Sequence, residues 1–342
     1  MSLDAYYDRI GEHHLAALWT RLSHLITPQP RSDCRAHRWR YADVRPALLA
    51  AGEVITAEEA ERRVLILENP GLPGSSKVTT SLYAGMQLVL PGEIAPSHRH
   101  SQSALRVIVE GSGAYSVVGG ERVAMERGDL VLTRPMTWHD HGSEGDGPTI
   151  WLDALDIPLV GFFDASFLER SPEAARAVTR PDGDSLTRYG AALLPVGSRP
   201  GGNASPITSY PYARTREVLT RLAKTDAPDP WHGVKVAFTN PLTGGDVLPT
   251  MSAWAQLLPS GWHSAAYRST DATVLLVIEG RGRTRIGDQV LDWEAGDVVV
   301  VPSWSWVRHE ADEESVLMSY SDQAAQRALG LWREERRSDS PE

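Results

Sequence analysis

The stretch Val107-Ile-Val-Glu-Gly111 recurs almost unchanged as Leu276-Val-Ile-Glu-Gly280, 169 residues further along the chain. Two more landmarks repeat at offsets of 169 and 168: Gly92 with Gly261, and Gly128-Asp129 with Gly296-Asp297. Landmarks in one register predict an internal duplication. The runs between them are short, apolar and bounded by Gly or Pro, which is typical of strands in a barrel or sandwich. The sequence therefore predicts two copies of a small β-barrel.

The duplication divides the 342 residues into five predicted parts. They are an N-terminal helical segment (1–77), a first barrel (78–166), a connector rich in Pro, Gly and Ser with one helix (167–233), a second barrel (234–322), and a C-terminal helix and tail (323–342).

Three helices are predicted in more detail from apolar spacing. The first covers residues 5–26, a second covers Glu58–Arg63, and the connector helix covers Arg214–Lys224. In the first, one apolar face carries Leu15, Leu18, Trp19, Leu22 and Leu25.

Composition excludes several classes of protein. The 34 Lys and Arg against 44 Asp and Glu give a net charge of −10, which argues against generic nucleic-acid binding. Cys34 is the single cysteine, so the chain holds no disulfide framework or zinc ribbon, which fits a reducing cytoplasm. There is neither a signal-peptide apolar core nor an apolar run long enough to span a bilayer. We expect a cytoplasmic protein that contacts no nucleic acid and no membrane.

Histidines in the first predicted barrel have metal-ligand spacing. His98 and His100 are two residues apart, so on a strand both imidazoles point to the same face. A second strand beginning near Trp138 would place His139 opposite this pair. His141 shares the face of His139 and is the alternative third ligand. The pattern predicts one metal site built from three imidazoles.

These residues resemble the two motifs of the cupin superfamily. Gly92, His98 and His100 match the first motif, with Gly111 or Gly113 closing it, and His139 stands eleven residues after Gly128, as the second motif requires. The glutamate expected after the second histidine is absent, because positions 104 and 105 are Ala and Leu. Three neutral imidazoles with open positions suit Fe(II), but the ligand types do not exclude Mn, Ni, Cu or Zn.

Four longer segments resemble the gentisate 1,2-dioxygenase family, which also contains salicylate and 1-hydroxy-2-naphthoate dioxygenases. They are residues 62–71, Leu82-Tyr-Ala-Gly-Met-Gln87, His98-Arg-His-Ser-Gln-Ser-Ala-Leu-Arg106 and Trp138-His-Asp-His-Gly142. The resemblance implies an all-β-dominated bicupin, with two tandem cupin β-barrels, an N-terminal helical segment and peripheral helices. It also implies ferrous iron on His98, His100 and His139, and a homotetramer.

The resemblance maps the family's pocket onto further residues, which are Arg62, Tyr83, Gln87, Arg106, His141 and Asp153. Gly85 is a further predicted pocket residue, and with Tyr83 it is expected to influence which acid fits. On a regular strand Arg106 would face the metal side with His100, and its charged fork suits a carboxylate, with Arg62 as the alternative. Gln87 is predicted to contact substrate or to be a satisfied core amide. His141 is predicted to act as an acid or base beside the metal, or only to orient other groups, and Asp153 to orient His141 or Arg106.

The predicted function is ring cleavage of an aromatic ortho-hydroxy acid by dioxygen on Fe(II), with gentisate giving maleylpyruvate. The same chemistry on salicylate, a substituted salicylate or 1-hydroxy-2-naphthoate is the alternative. A cupin that binds an aromatic acid only as a sensor or carrier is the non-enzymatic alternative. The second barrel has Tyr267, Ser269 and Val307 where the first has ligands, so we expect it to serve as scaffold.

Overall fold

The computed structural model describes residues 1–191, 194–197 and 201–337. The chain forms two compact units, Met1–Arg31 and Ser32–Glu342. The first unit contains α1 (Leu3–Gly11), a 3-10 turn (Leu18–Thr20) and α2 (Leu22–Leu25). The continuous helix predicted over 5–26 is therefore wrong. The chain leaves the helix after Gly11, and His14 takes a positive φ of 56°, which a helix does not allow.

The first barrel is built from two antiparallel sheets. Its six-stranded sheet has the order β12-β8-β5-β10-β3-β2, and its five-stranded sheet has the order β11-β4-β9-β6-β7. The strands are β2 (Val64–Ile66), β3 (Tyr83–Val89), β4 (Ile94–His100), β5 (Ala104–Glu110), β6 (Ala114–Val118), β7 (Glu121–Met125), β8 (Leu130–Thr133), β9 (His139–Ser143), β10 (Thr149–Leu155), β11 (Leu168–Arg170) and β12 (Ser209–Tyr210).

The second barrel repeats this arrangement. Its sheets have the orders β1-β19-β16-β21-β14-β13 and β18-β17-β20-β15-β22. The strands are β1 (His37–Trp39), β13 (Val234–Ala237), β14 (Ser252–Leu258), β15 (Tyr267–Ser269), β16 (Thr273–Glu279), β17 (Arg281–Ile286), β18 (Gln289–Glu294), β19 (Val298–Val301), β20 (Val307–Ala311), β21 (Ser315–Ser321) and β22 (Glu334–Arg336). The equivalent strand orders confirm the predicted duplication.

Helices surround the two barrels. They are α3 (Tyr41–Val54), α4 (Ala57–Ala60), α5 (Ile157–Phe162), α6 (Asp184–Tyr189), α7 (Tyr212–Thr225) and α8 (Gln323–Ala328). The connector helix predicted over Arg214–Lys224 corresponds to α7, but the connector also contains α6, so the prediction of a single helix there is wrong. The helix predicted over Glu58–Arg63 is displaced to α4, because the capping box of Thr56 and Glu59 starts it earlier. Helix α3 was not predicted, and Pro46 within it obscures the pattern.

The predicted C-terminal helix is much shorter than expected. Within residues 323–337, the part that the structure describes, the helix is confined to α8, and the chain then adds β22 to the second barrel beside β15. Residues 338–342 of the predicted tail lie outside the described part of the chain. No helix in the described part of the chain is long and apolar enough to cross a bilayer.

Three apolar clusters form the core of the second unit, Ser32–Glu342. One fills the first barrel around Ile108 and Trp151, and one fills the second around Val277 and Trp293. The largest joins residues of both six-stranded sheets, for example Leu105 with Leu276 and Met318. The two barrels therefore share one core, and burial of this common surface drives their association.

Helices α3 and α7 link the barrels in a pseudo-symmetric way. The Tyr41 hydroxyl donates to Glu110 of the first barrel (2.6 Å), while its backbone N–H donates to Asp297 of the second (2.8 Å). Tyr212 does the reverse: its hydroxyl donates to Glu279 of the second barrel (2.5 Å), and its N–H donates to Asp129 of the first (2.7 Å). Arg45 and Arg216 pair with the same two glutamates. We call this arrangement the tyrosine clamp.

The clamp explains why the repeated Gly-Asp pairs carry glycine. Gly128 and Gly296 have φ values of +87° and +93°. A methyl group on Gly128 would lie 2.5 Å from the Tyr212 ring, and one on Gly296 would lie 2.7 Å from the Tyr41 ring. Both the backbone conformation and the ring contact require a residue without Cβ.

Candidate metal centre

Three imidazoles converge inside the first barrel. His98 and His100 lie on β4, and His139 begins the neighbouring strand β9 in direct register with His98. Their ring centroids are 4.5 to 5.3 Å apart, and one nitrogen from each lies within 4.8 Å of the others. Antiparallel pairing of β4 with β9 therefore produces the predicted cluster.

Backbone carbonyls orient two of these rings. His100 Nδ1 lies 3.0 Å from the Gln102 carbonyl oxygen, and His139 Nδ1 lies 2.9 Å from that of Thr137. A carbonyl only accepts a hydrogen bond, so each Nδ1 donates and each Nε2 retains a lone pair. The Nε2 atom of His139 is buried and has no partner among the described residues. Metal-binding histidines are oriented in this way.

Burial keeps the three rings neutral. Desolvation, reinforced by Arg62, lowers the pKa of His98 to about 3. Desolvation and Arg106 lower the pKa of His100 to about 4. The pKa of His139 is also well below its usual value, chiefly through burial. Neutral imidazoles offer lone pairs at physiological pH, so this cluster suits a divalent metal ion.

Arg106 is buried beside the cluster, on a different strand from the one expected. The even spacing from His100 to Arg106 predicts a shared face on one regular strand, but the chain turns between them, and Arg106 lies on β5 of the other sheet. It pairs with Asp153 across β5 and β10 at 2.9 Å, and its Nη1 donates to Thr133 at 2.7 Å. The structure thus places Asp153 against Arg106. Thr133 was not anticipated.

Arg62 also reaches the cluster. Its Nη2 lies 2.9 Å from His98 Nδ1. Arginine only donates, so in this arrangement Nδ1 accepts, and the proton of His98 is on Nε2. Burial and the nearby Arg106 lower the pKa of Arg62 to about 9. A cation in this position would be stabilised by an incoming anion.

His141 lies next to the cluster and contacts a different set of residues. Its ring centroid is 5.7 Å from that of His139 and 5.3 Å from Trp151. Its Nδ1 shares a 2.6 Å hydrogen bond with the Ser116 hydroxyl across β6 and β9. Its buried Nε2 has no partner among the described residues. Local spacing does not predict the contacts of Ser116 and Trp151 with His141, because only the strand register brings these residues together.

Strand β3 contributes the remaining predicted residues. Gly85 on β3 is in direct register with Asp153 of β10. A methyl group on Gly85 would collide with Val64 and lie 2.8 Å from the Tyr83 hydroxyl. Gln87 is buried, and its Nε2 has no partner among the described residues, which argues against a satisfied core amide.

Comparisons with known proteins identify the relatives of this chain. Residues 85–155 match the family described as Cupin domain. The chain is 54% identical to gentisate 1,2 dioxygenase 1 of Aquipseudomonas alcaligenes, covering 97% of this chain and 95% of that one. It is 37% identical to 5-aminosalicylate 1,2-dioxygenase of Comamonas sp, covering 97% and 90%.

A solved structure shows the same fold. Salicylate 1,2-dioxygenase from Pseudoaminobacter salicylatoxidans, as an adduct with gentisate, superposes with a TM-score of 0.93 at 34% identity, covering 98% of this chain and 94% of that one. This confirms the predicted bicupin architecture with its N-terminal helices. Similarity of this extent, spread over both barrels, shows descent from one ancestor rather than a shared barrel alone. The chain therefore belongs to the gentisate 1,2-dioxygenase family of ring-cleaving dioxygenases.

Proposed function

We propose that this dioxygenase cleaves gentisate with dioxygen to give maleylpyruvate, in an extradiol-type reaction dependent on Fe(II). The ring bond between the carboxyl-bearing and the hydroxyl-bearing carbons breaks, and both oxygen atoms enter the product. The observation that carries the proposal is the cluster of His98, His100 and His139 beside a buried arginine. The 54% identity to a gentisate dioxygenase supports the choice of substrate.

Iron is proposed because the donor set fits it. Three neutral nitrogen ligands leave other coordination positions for a chelating acid and for dioxygen. When bound, the ion would move electron density from the ring to dioxygen and hold both reactants in contact.

Arg106 and Arg62 are proposed to bind the carboxylate. Asp153 and Thr133 fix the Arg106 guanidinium, which limits the entropy lost when it binds an anion. Metal binding at either nitrogen of His98 is incompatible with the hydrogen bond from Arg62, because that bond occupies the lone pair of Nδ1 and leaves the proton on Nε2. Arg62 would then turn away from His98 and become available to the substrate.

His141 is proposed to hold or move the proton of the substrate hydroxyl. It is fully buried, Ser116 fixes its ring, and its Nε2 is free to bond to a ligand. Tyr83, Gly85 and Gln87 are proposed to line the space occupied by the aromatic ring.

Oxygen uptake by the iron-loaded enzyme tests the assignment. Gentisate should be the fastest simple acid, because its second hydroxyl makes the ring electron-rich. Ring-substituted salicylates should react slowly, and benzoate should not react, since it lacks the ortho hydroxyl needed for a two-oxygen chelate. Faster turnover of a salicylate or of 1-hydroxy-2-naphthoate would transfer the assignment to that acid, and cleavage of benzoate would contradict the chelate mechanism.

A homo-oligomer, with the homotetramer implied by family resemblance, is also proposed. The first unit exposes large apolar side chains: Leu15, Leu18, Trp19, Leu22, Leu25 and Ile26 are between 46% and 72% exposed. Surfaces of this kind are typical of contacts between subunits. Light scattering should give a mass several times the 37.5 kDa of one chain, and Trp19→Ser with Leu22→Ser should lower it. A monomeric wild-type protein would contradict the proposal.

A further inference from the structure

The second barrel contains a cavity at the position that corresponds to the metal centre of the first. Its volume is about 480 Å³, within the range of small-molecule sites. Tyr267 and Ser269, the counterparts of the ligands His98 and His100, lie in its wall. A cavity therefore borders the two side chains that stand where the first barrel has the candidate ligands His98 and His100.

A lysine enters this cavity from the strand that borders it. Lys235 on β13 is paired with Gln256, as Val64 on β2 is paired with Gln87, and these glutamines are equivalent in the repeat. Lys235 thus takes the place of an apolar side chain. It is partly buried, and its ammonium lies 4.8 Å from the centre of the Trp254 ring. No ion pair to Lys235 occurs among the described residues within 4.0 Å.

The acidic groups of the cavity are already engaged. Asp229 accepts the backbone N–H groups of Trp231 and His232, Asp271 accepts the indole N–H of Trp332, and Glu334 pairs with Arg336. Asp226 is exposed. Lys235 is consequently the partly buried cation of the wall without an ion pair among the described residues. Burial lowers its pKa, and the charges of Asp271, Glu334 and Asp229 act in the opposite direction.

Aromatic rings flank the lysine. The His232 and Tyr267 rings are in contact, with centroids 4.5 Å apart, and both line the cavity together with Trp254. The Nδ1 atom of His232 is buried and has no partner among the described residues. These rings can pack against the ring of an aromatic ligand, and the ammonium of Lys235 can bind a carboxylate attached to that ring.

We infer that the second barrel binds a small aromatic monocarboxylate, with its carboxylate on Lys235 and its ring against Trp254 and Tyr267. This site is separate from the metal centre and requires no metal. The inference does not depend on which acid the first barrel cleaves.

Calorimetric titration of the iron-loaded enzyme with benzoate tests the inference. Benzoate carries the carboxylate and the ring but is not expected to be consumed. Lys235→Met should bind one benzoate fewer per chain than the wild type, or bind it at least about tenfold more weakly, because a charge-assisted contact is lost. Lys235→Arg should retain the site. Lys77→Met, which removes another of the three lysines from a partly buried position, should bind as the wild type does.

Two further measurements test the aromatic contact and provide a second variant in case Lys235→Met does not fold. Trp254→Leu should also weaken this site, and it provides an answer if Lys235→Met does not fold. Cyclohexanecarboxylate, which has the same charge but no aromatic face, should bind several-fold more weakly than benzoate. Turnover of aromatic hydroxy acids by Lys235→Met should remain that of the wild type. Equal benzoate binding by the wild type and Lys235→Met would overturn the inference, and equal binding of the two acids would overturn its aromatic part.

Discussion

His141 and His309 are equivalent residues of the two barrels, and each shares a hydrogen bond at Nδ1 with a hydroxyl from the neighbouring strand. The partner of His141 is Ser116 at 2.6 Å, and the partner of His309 is Thr284 at 2.9 Å. The pair has survived in the barrel that lost its metal ligands. It is therefore part of the framework of both barrels, and only in the first does it also border a candidate metal centre.

The two pairs offer a matched test of His141. Ser116→Ala should lower kcat by about tenfold or more, because a loosely held His141 no longer controls a proton at a fixed place. Thr284→Ala removes the equivalent hydroxyl in the second barrel and should leave kcat unchanged. It should lower thermal stability at least as much as Ser116→Ala does, because Thr284 also accepts the indole N–H of Trp293. Equal effects of both variants on kcat would show that His141 is only structural.

Metal content should depend on the first barrel alone. His98→Ala should lose the ion, since two remaining imidazoles bind divalent metals far more weakly. Metal analysis should give one ion per wild-type chain and close to none for the variant. His263→Ala, which changes an exposed histidine of the second barrel, is the control. Two ions per wild-type chain would contradict a single site.

Replacing Arg106 by lysine should weaken substrate binding. Lysine keeps the charge but loses the planar fork and cannot satisfy Asp153, Thr133 and a carboxylate together. The expected loss is about 1.5–3 kcal/mol, measured as anaerobic binding of the acid to the metal-loaded enzyme. Arg122→Lys, at a surface ion pair with Glu144, is the control. An unaffected Arg106→Lys would move the carboxylate contact to Arg62, where the same substitution should then be made.

Acid should destabilise the fold through buried neutral histidines. Burial lowers the pKa of His309 to about 3, against about 6.5 in an unfolded chain. Between these values the unfolded state takes up a proton that the folded state refuses, so the stabilisation is complete above pH 6.5 and is lost as the pH falls towards 3.

The pH profile of thermal unfolding checks this expectation on metal-depleted protein. His309→Gln should show a lower unfolding midpoint at pH 7 but a shallower fall towards pH 4 than the wild type. His263→Gln should keep the wild-type slope, because that side chain is 70% exposed. Identical slopes for His309→Gln and the wild type would rule out His309 as a source of acid sensitivity.

The tyrosine clamp should contribute to the union of the barrels. Tyr41→Phe and Tyr212→Phe each remove a hydrogen bond to a carboxylate and should each cost about 1–2 kcal/mol, less than a fully buried charged bond because the glutamates are partly exposed. Urea unfolding would measure this. Gly128→Ala, which forces a side chain into the Tyr212 ring, should cost more. An unchanged midpoint in the double tyrosine variant would show that the shared apolar core alone joins the barrels.

The sequence by itself determined the duplication and the candidate histidines, and the resemblance of its motifs to a known family implied the bicupin class. Each rests on local information: landmark spacing, alternating side-chain direction along a strand, and turn glycines at fixed distances. The same landmarks later proved to be the groups that the tyrosine clamp uses, since Glu110, Asp129, Glu279 and Asp297 bind Tyr41 and Tyr212. The repeat can be recognised in the sequence because each barrel must supply the same glutamate and aspartate to the tyrosine clamp.

Only the tertiary structure decided the surroundings of the site. Arg106 faces the histidines from another sheet. Its spacing of six residues from His100 therefore does not explain its position. Its partners Asp153 and Thr133, and the partner Ser116 of His141, come from strands whose register depends on long-range pairing. The cavity beside Lys235 in the second barrel could not be predicted from the sequence for the same reason. Lys235 lies on the first strand of the predicted second barrel and reaches the cavity only because β13 pairs with β14. Contacts between distant strands are set by packing of the whole sheet, which local spacing does not encode.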